Sequence, residues 1–308
     1  MRRPFRARAV GAILGLAVVA AACGSGDGAE EGSVPEGDPI RVASFNFNES
    51  VIVAEIYAQG LEANGYTVER QLNLGNREVV KPALEAGEID LVPEYTGSVG
   101  GFLEVEQSAD PDTMWESARA AFEELGVTLL AYSPAQDKNA YVVTGETAEE
   151  LELSTVSDLQ PVAGDLIFGG PPECPERPLC LPGLQEVYGL EFAEFVPLDA
   201  GGPITVAALE GGEIDVALLF TTSGVIAANG WVSLEDDMGL NPAENVVPAI
   251  RTEVVEAYGD GLVTLLDSYS EALTTEDLTE MNARADLDQE DPALIAEEWL
   301  TENGFIGA

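Results

Sequence analysis

Three cysteines, 56 carboxylates and no histidine frame the chemistry open to this 308-residue chain. Without histidine there is no Ser-His-Asp or Cys-His nucleophile pair and no His-ligated metal. The carboxylates are numerous enough for the paired-acid chemistry of glycoside hydrolysis, yet no pair stands out by motif. Cys174 and Cys180 have five residues between them in the segment PPECPERPLCLPGL. Zinc would need two more soft ligands there, and the sequence does not supply them. In an oxidising compartment the two cysteines form a disulfide that stiffens a Pro-rich loop. A loop this short contributes about 2–3 kcal/mol in the chain-entropy model. No metal, no cofactor and no catalytic group is expected.

The balance of 13 basic against 56 acidic residues gives a net charge of −43. Such a surface repels phosphate, so nucleic acid and anionic lipid headgroups are excluded as partners. Apolar residues make up 46% of the chain, a folding composition and not that of a disordered acidic tail. The length suits one large domain or two ordinary ones.

The N-terminus reads as an export leader over residues 1–22. Arg2, Arg3, Arg6 and Arg8 form a positive start, and an apolar run from Ala9 to Ala22 follows. The run is shorter than the roughly 20 residues a bilayer span needs and has the size of a signal-peptide core. It ends Val19-Ala20-Ala21-Ala22-Cys23, small residues before a cysteine, as in a bacterial lipobox. On that reading Cys23 is lipidated; the alternative is an ordinary signal with an incidental cysteine. Residues 23–39 are a polar, Gly-rich tether. The leader holds four of the 13 basic residues, so the mature body carries nine against 56 acids, a net of −47. These features predict an exported body, lipid-anchored to the outer face of the cytoplasmic membrane.

One segment occurs twice. Residues 83–90 read ALEAGEID and residues 208–215 read ALEGGEID, seven of eight positions matching 125 residues apart. A strand-like run and a Gly-containing turn precede each copy, and an apolar strand follows. The unit is strand, turn, helix, Gly stop, strand, a βαβ crossover. Its recurrence predicts two similar α/β lobes. Further strands are expected at 40–44, 67–74, 128–132, 140–144, 166–169, 195–198, 231–234 and 245–250, and helices beyond Arg251. Asn46 with Glu49 has the spacing of a capping box for the first helix. Pro82 should kink the helix before Gly87 or delay its start.

RVASFNFNES, LNLGNREVVKPALEAGEIDLVPEYTGS, FGGPPE with RPLCLPGLQEVYGL, LDAGGPITVAALEGGEIDVALLFTTSG, and ENVVPAIR together resemble the osmoprotectant-binding proteins of bacterial ABC importers. The resemblance spans about residues 40–304. It implies a type II periplasmic-binding-protein fold, two α/β lobes joined by two crossovers around a cleft. Residues 40–137 with 244–308 would form lobe 1, and 138–243 lobe 2. It implies a glycine betaine, choline or carnitine ligand and an ABC permease and ATPase as partners. The alternative is a ligand-sensing receptor of the same fold for another small cation or amino-acid-like solute.

A quaternary ammonium has no N–H to donate. Aromatic faces hold it, at roughly 0.5–2 kcal/mol per ring, and a carboxylate on the ligand needs an arginine, a lysine or backbone N–H groups. The resemblance assigns Tyr95 and Tyr141 to such a cage, Ser98 to a hydroxyl contact and Arg177 to a ligand carboxylate. Phe45, Asn46 and Phe47 on the first turn and Phe220 at a strand end complete the candidates. Three positions depart from the family pattern: Phe45 replaces a lysine, Phe220 a tyrosine, and Glu244 a further cage tyrosine. The exchange favours a cation without a carboxylate, such as choline. Closure would hinge near Pro134–Asn139 and Asp236–Asn245.

Overall fold

The computed structural model describes residues 37–307; the leader, Cys23 and most of the tether lie outside the described residues. In chain order the first half contains β1 (Ile40–Phe45), α1 (Asn48–Ala63), β2 (Val68–Gly75), α2 (Arg77–Glu85), β3 (Leu91–Tyr95), α3 (Thr96–Phe102), α4 (Pro111–Glu123) and β4 (Val127–Leu129). Then come β5 (Asn139–Val143), α5 (Gly145–Glu150), β6 (Ile167–Gly170), α6 (Leu181–Tyr188), β7 (Glu194–Pro197), α7 (Pro203–Glu210), β8 (Val216–Phe220), α8 (Gly224–Ala228) and β9 (Val232–Leu234). The chain ends with β10 (Val246–Arg251), α9 (Thr252–Tyr258), α10 (Asp260–Ala272), α11 (Thr275–Asp286) and α12 (Pro292–Glu302).

Two five-stranded sheets result, ordered β2-β1-β3-β10-β4 and β7-β6-β8-β5-β9. Each has a parallel trio continued by antiparallel strands: β1 pairs parallel with β2 and β3, β6 with β7 and β8, while β10 and β5 run antiparallel. One core lies under the first sheet, and two smaller ones cover the faces of the second. Strand β5 shows why: Tyr141 and Val143 enter one core, Ala140 and Val142 the other, the period of two of a pleated strand.

The repeated octapeptide occupies the same place in both sheets, the end of the crossover helix (α2, α7) and the turn into the third parallel strand (β3, β8). Gly87 and Gly212 have φ of 69° and 68°, the left-handed helix stop that glycine adopts without a Cβ clash. Glu88 N donates to Ala83 O (2.8 Å) and Glu213 N to Ala208 O (2.9 Å), closing equivalent turns. The aspartates match too. Asp90 Oδ2 accepts from Arg41 N (2.9 Å), and Asp215 Oδ2 accepts from Ile167 N (2.8 Å). Each acid locks the start of the third parallel strand onto the first strand of its parallel trio, β1 or β6.

Two connections join the sheets, one between β4 and β5 and one between β9 and β10. They run side by side: Gln136 and Asn245 form an antiparallel bridge, and Asp137 N donates to Glu244 O (3.0 Å). Cys174 and Cys180 form the expected disulfide, with Cα atoms 5.3 Å apart. Among the described residues no helix is long and apolar enough to cross a membrane.

Two local expectations fail. Asn46 does not cap α1: the helix starts at Asn48 behind Phe47, whose backbone is extended and which makes no side-chain capping bond. Glu49 is instead drawn inward by three donors from other elements. Pro82 does not delay α2, which begins at Arg77 and runs through it; Ala86 N closes the next turn on Pro82 O at 2.9 Å.

Candidate functional site

The C-terminal ends of the parallel strands of both sheets face one cleft, the position where open α/β sheets bind ligands. Its empty volume is about 890 Å³, open solvent included. Phe45, Asn46 and Phe47 reach it from the end of β1, Tyr95 from the end of β3, and Ser98 and Phe102 from α3. The second sheet contributes Phe220 from the end of β8, and the disulfide loop contributes Glu173 and Arg177. Asp137 and Glu244 come from the two connections.

Four rings converge. Phe47 lies at the centre, its centroid 6.0 Å from Phe45, 5.9 Å from Tyr95 and 5.5 Å from Phe220. Phe45 stacks parallel to Phe47 and takes the Arg77 guanidinium at 5.1 Å from its centroid. It is 3% exposed, so it buttresses the cluster from behind.

Tyr95 is held by its hydroxyl, which donates to Glu49 Oε1 at 2.8 Å. Glu49 Oε2 also accepts from Thr222 Oγ1 and Asn282 Nδ2, both at 2.6 Å. Thr222 follows β8, so this carboxyl ties the two sheets together behind the rings. Asp137 accepts from Thr222 N (3.2 Å) on the same side. Burial pushes the carboxyls of Glu49 and Asp137 above their ordinary range, and the proximity of Glu49 raises Asp137 further.

Two arginines and an acid set the cleft's charge. Arg77 forks onto Glu94, with Nη2 2.7 Å from Oε2, in a pair 9% and 2% exposed. Arg177 donates to Glu78 Oε2 (2.9 Å) and lies 5.0 Å from the Phe102 centroid. Burial, and then the charge of Arg77, lower the pKa of Arg177. Its Nε is buried without a hydrogen-bond partner among the described residues. Glu244, 5% exposed, accepts the backbone N–H of Ser98 at 2.7 Å. It rests against Gly97, where any Cβ would collide with the carboxylate and Pro242. Burial pushes Glu244 up to about 7, against the opposing pull of the Ser98 hydrogen bonds and Arg77.

The cleft thus gathers Tyr95, Ser98, Arg177, Phe220, Phe45, Asn46 and Glu244 of the sequence candidates. Tyr141 is not among them. It faces the core of the second sheet, 1% exposed, with its ring 6.2 Å from Phe168 and its hydroxyl donating to Leu179 O (3.2 Å). Tyr141 shares a face of β5 with Asn139 but lies two residues deeper along the strand, so Asn139 at the strand's start lines the cavity and the tyrosine does not. Arg77, Phe102 and Asp137 also line the cavity and are not among those candidates. Phe102 follows Ser98 by four residues, one turn of α3, a spacing that puts both on the helix face that lines the cleft.

The family described as the substrate-binding domain of the ABC-type glycine betaine transport system matches residues 38–302. A glycine-betaine-binding protein of Pseudomonas aeruginosa is 28% identical over 283 residues, covering 88% of this chain and 90% of that one. A carnitine transport binding protein of Listeria monocytogenes, OpuCC, is 28% identical over 274 residues, covering 87% and 88%. A crystal structure described as a glycine betaine/carnitine/choline ABC transporter superposes with a TM-score of 0.68 at 24% identity, covering 86% of this chain and 99% of that one. The two sheets and their cleft are those of a two-lobed type II periplasmic binding protein. Its fold and the span of the family match agree, and this chain belongs to the substrate-binding domains of ABC-type glycine betaine transport systems.

Proposed function

We propose that this protein captures quaternary ammonium osmoprotectants of the glycine betaine and choline type outside the cytoplasmic membrane and delivers them to an ABC permease and its ATPase. The observation that carries this reading is the convergence of Phe47, Tyr95 and Phe220 from both sheets on one cleft. Rings are what a cation without N–H groups can bind. The family is one of substrate-binding proteins and not of enzymes, and the substrate-binding proteins of ABC importers are extracytoplasmic.

Residues 40–137 with 244–308 make one lobe and 138–243 the other, turning on the two paired connections. Cys23 would carry a lipid that holds the body at the membrane. The mass of the N-terminal peptide from native membranes checks this: a diacylated Cys23 is expected, and an unmodified cysteine rules the anchor out.

Calorimetric titration with choline, glycine betaine and carnitine tests the ligand class. Replacing Tyr95 with leucine should weaken binding roughly 2- to 30-fold, the range of one cation–π contact. Tyr95→Phe keeps the ring and should retain most of the affinity while losing the hydrogen bond to Glu49. No heat with any of the three ligands would overturn the proposal.

A further inference from the structure

Five charged side chains face the cleft: Arg77, Arg177, Asp137, Glu173 and Glu244. Both arginines are already matched by acids that do not line it, Arg77 by Glu94 and Arg177 by Glu78. The cleft's own acids have no such match, and Glu244 is the one seated against α3, beside Tyr95 and Ser98. Its partner is a neutral donor, the Ser98 N–H. That N–H is also a donor a ligand carboxylate would seek near the rings, and the protein's own carboxylate fills it.

We infer that Glu244 sets the charge of the ligand, selecting a quaternary ammonium with net positive charge and no carboxylate over a zwitterionic betaine. The inference rests on the quaternary ammonium reading of the cleft. Cation and carboxylate attract strongly in a site sheltered from water. A carboxylate on the ligand would be repelled by Glu244 and would find Arg77 engaged by Glu94 and Arg177 tied through Nη2 to Glu78, with only its other donors left.

The surroundings of Glu244 make this selection depend on pH. Arg77 on α2 favours its ionised form; Glu94 on β3 opposes it, and Asp137 on the facing connection adds a second buried acid. With burial holding Glu244 at about 7, the group is largely protonated at pH 6 and largely ionised at pH 8. A cation binds the ionised form, so its affinity should rise about tenfold across that interval as the proton is expelled.

The test is titration calorimetry of the mature protein with choline and with glycine betaine at pH 6 and pH 8, each in two buffers of different ionisation enthalpy. For the native protein we expect choline to bind more tightly than betaine at pH 8. Choline affinity should rise about tenfold from pH 6 to pH 8, with uptake of the released proton by the buffer visible as a buffer-dependent heat. Glu244→Gln, matched in shape, should weaken choline about tenfold or more and abolish its pH dependence, leaving betaine unchanged or tighter. Tighter betaine than choline in the native protein at pH 8, or choline binding at pH 6 without proton release, would overturn the inference alone. Binding of neither ligand would overturn the reading of the cleft and this inference with it. The proton measurement on the native protein decides the matter even if the variant does not fold.

Discussion

Exchange of Arg77 for methionine should lower the free energy of unfolding by about 3–5 kcal/mol, the range for removing one partner of a buried ion pair. The loss would not come from the attraction itself, because two charges withdrawn from water give back most of what their pairing provides. It comes from what remains. Glu94 is 2% exposed, and its carboxylate accepts from Arg77 and, at 3.2 Å, from the Tyr95 N–H. Without the guanidinium it must stay charged in a poorly solvated place or take up a proton. The double variant Arg77→Met with Glu94→Leu removes the orphaned charge and should regain most of the loss. Urea denaturation midpoints check both. A single variant with an unchanged midpoint would mean that water reaches Glu94. Because Arg77 also lies on Phe45, the single variant should loosen the ring cluster and weaken ligand binding beyond its cost in stability.

The ligand-free protein should become more stable as the pH falls from 8 towards 5. The sign follows from burial. Glu244, Glu49 and Asp137 all have folded-state pKa values above their unfolded ones. The fold therefore favours their protonated forms. That contribution is fully present below the unfolded values and is lost as pH rises through the folded ones. For Glu244 the window runs from 4.5 to about 7 and amounts to roughly 3 kcal/mol. Glu62, Asp110, Asp158, Asp236 and Glu290 are held below their ordinary values, and their stabilisation fades only in stronger acid. The optimum should fall near pH 5. Urea midpoints at pH 5, 6, 7 and 8 measure it, and Glu244→Gln should flatten the slope. A midpoint rising steadily from pH 5 to pH 8 would refute the reading of these three acids as buried with raised pKa values.

The parts of this molecule legible in its sequence are those written locally. The twin ALEAGEID and ALEGGEID segments recur in space as they do in sequence, because a helix stop, a left-handed glycine and a strand-locking aspartate are all encoded within eight residues. The apolar run at 245–250 announced a strand, and Val246–Arg251 forms it, antiparallel to β3 in the first sheet. What stayed hidden depends on partners far along the chain. Glu49 looks like half of a capping box until Tyr95, Thr222 and Asn282, 46 to 233 residues away, claim its oxygens. Arg77 reads as an ordinary first-turn arginine, and only the fold shows Glu94 and Phe45 beside it. Tyr141 misled for a different reason. Its strand does reach the cleft, but the tyrosine lies two residues deeper than Asn139 on the same face, and the sequence motif carries no mark of depth.

The pairing of the two connections bears on the order of events when a ligand arrives. Asp137 and Glu244 face each other across those strands, joined by a backbone hydrogen bond. When two bodies rotate on a common axle, points on the axle scarcely move while points at the rims travel furthest. On the proposed closure about the two connections, a carboxylate mounted there would stay in nearly the same place whether the jaws are apart or together; Phe220, carried on the second sheet, would not. A cation can therefore settle on Glu244 while the mouth is open, and the last ring arrives with closure. Attraction by charge comes first and enclosure by aromatic surface second, so salt should slow capture more than it hastens escape.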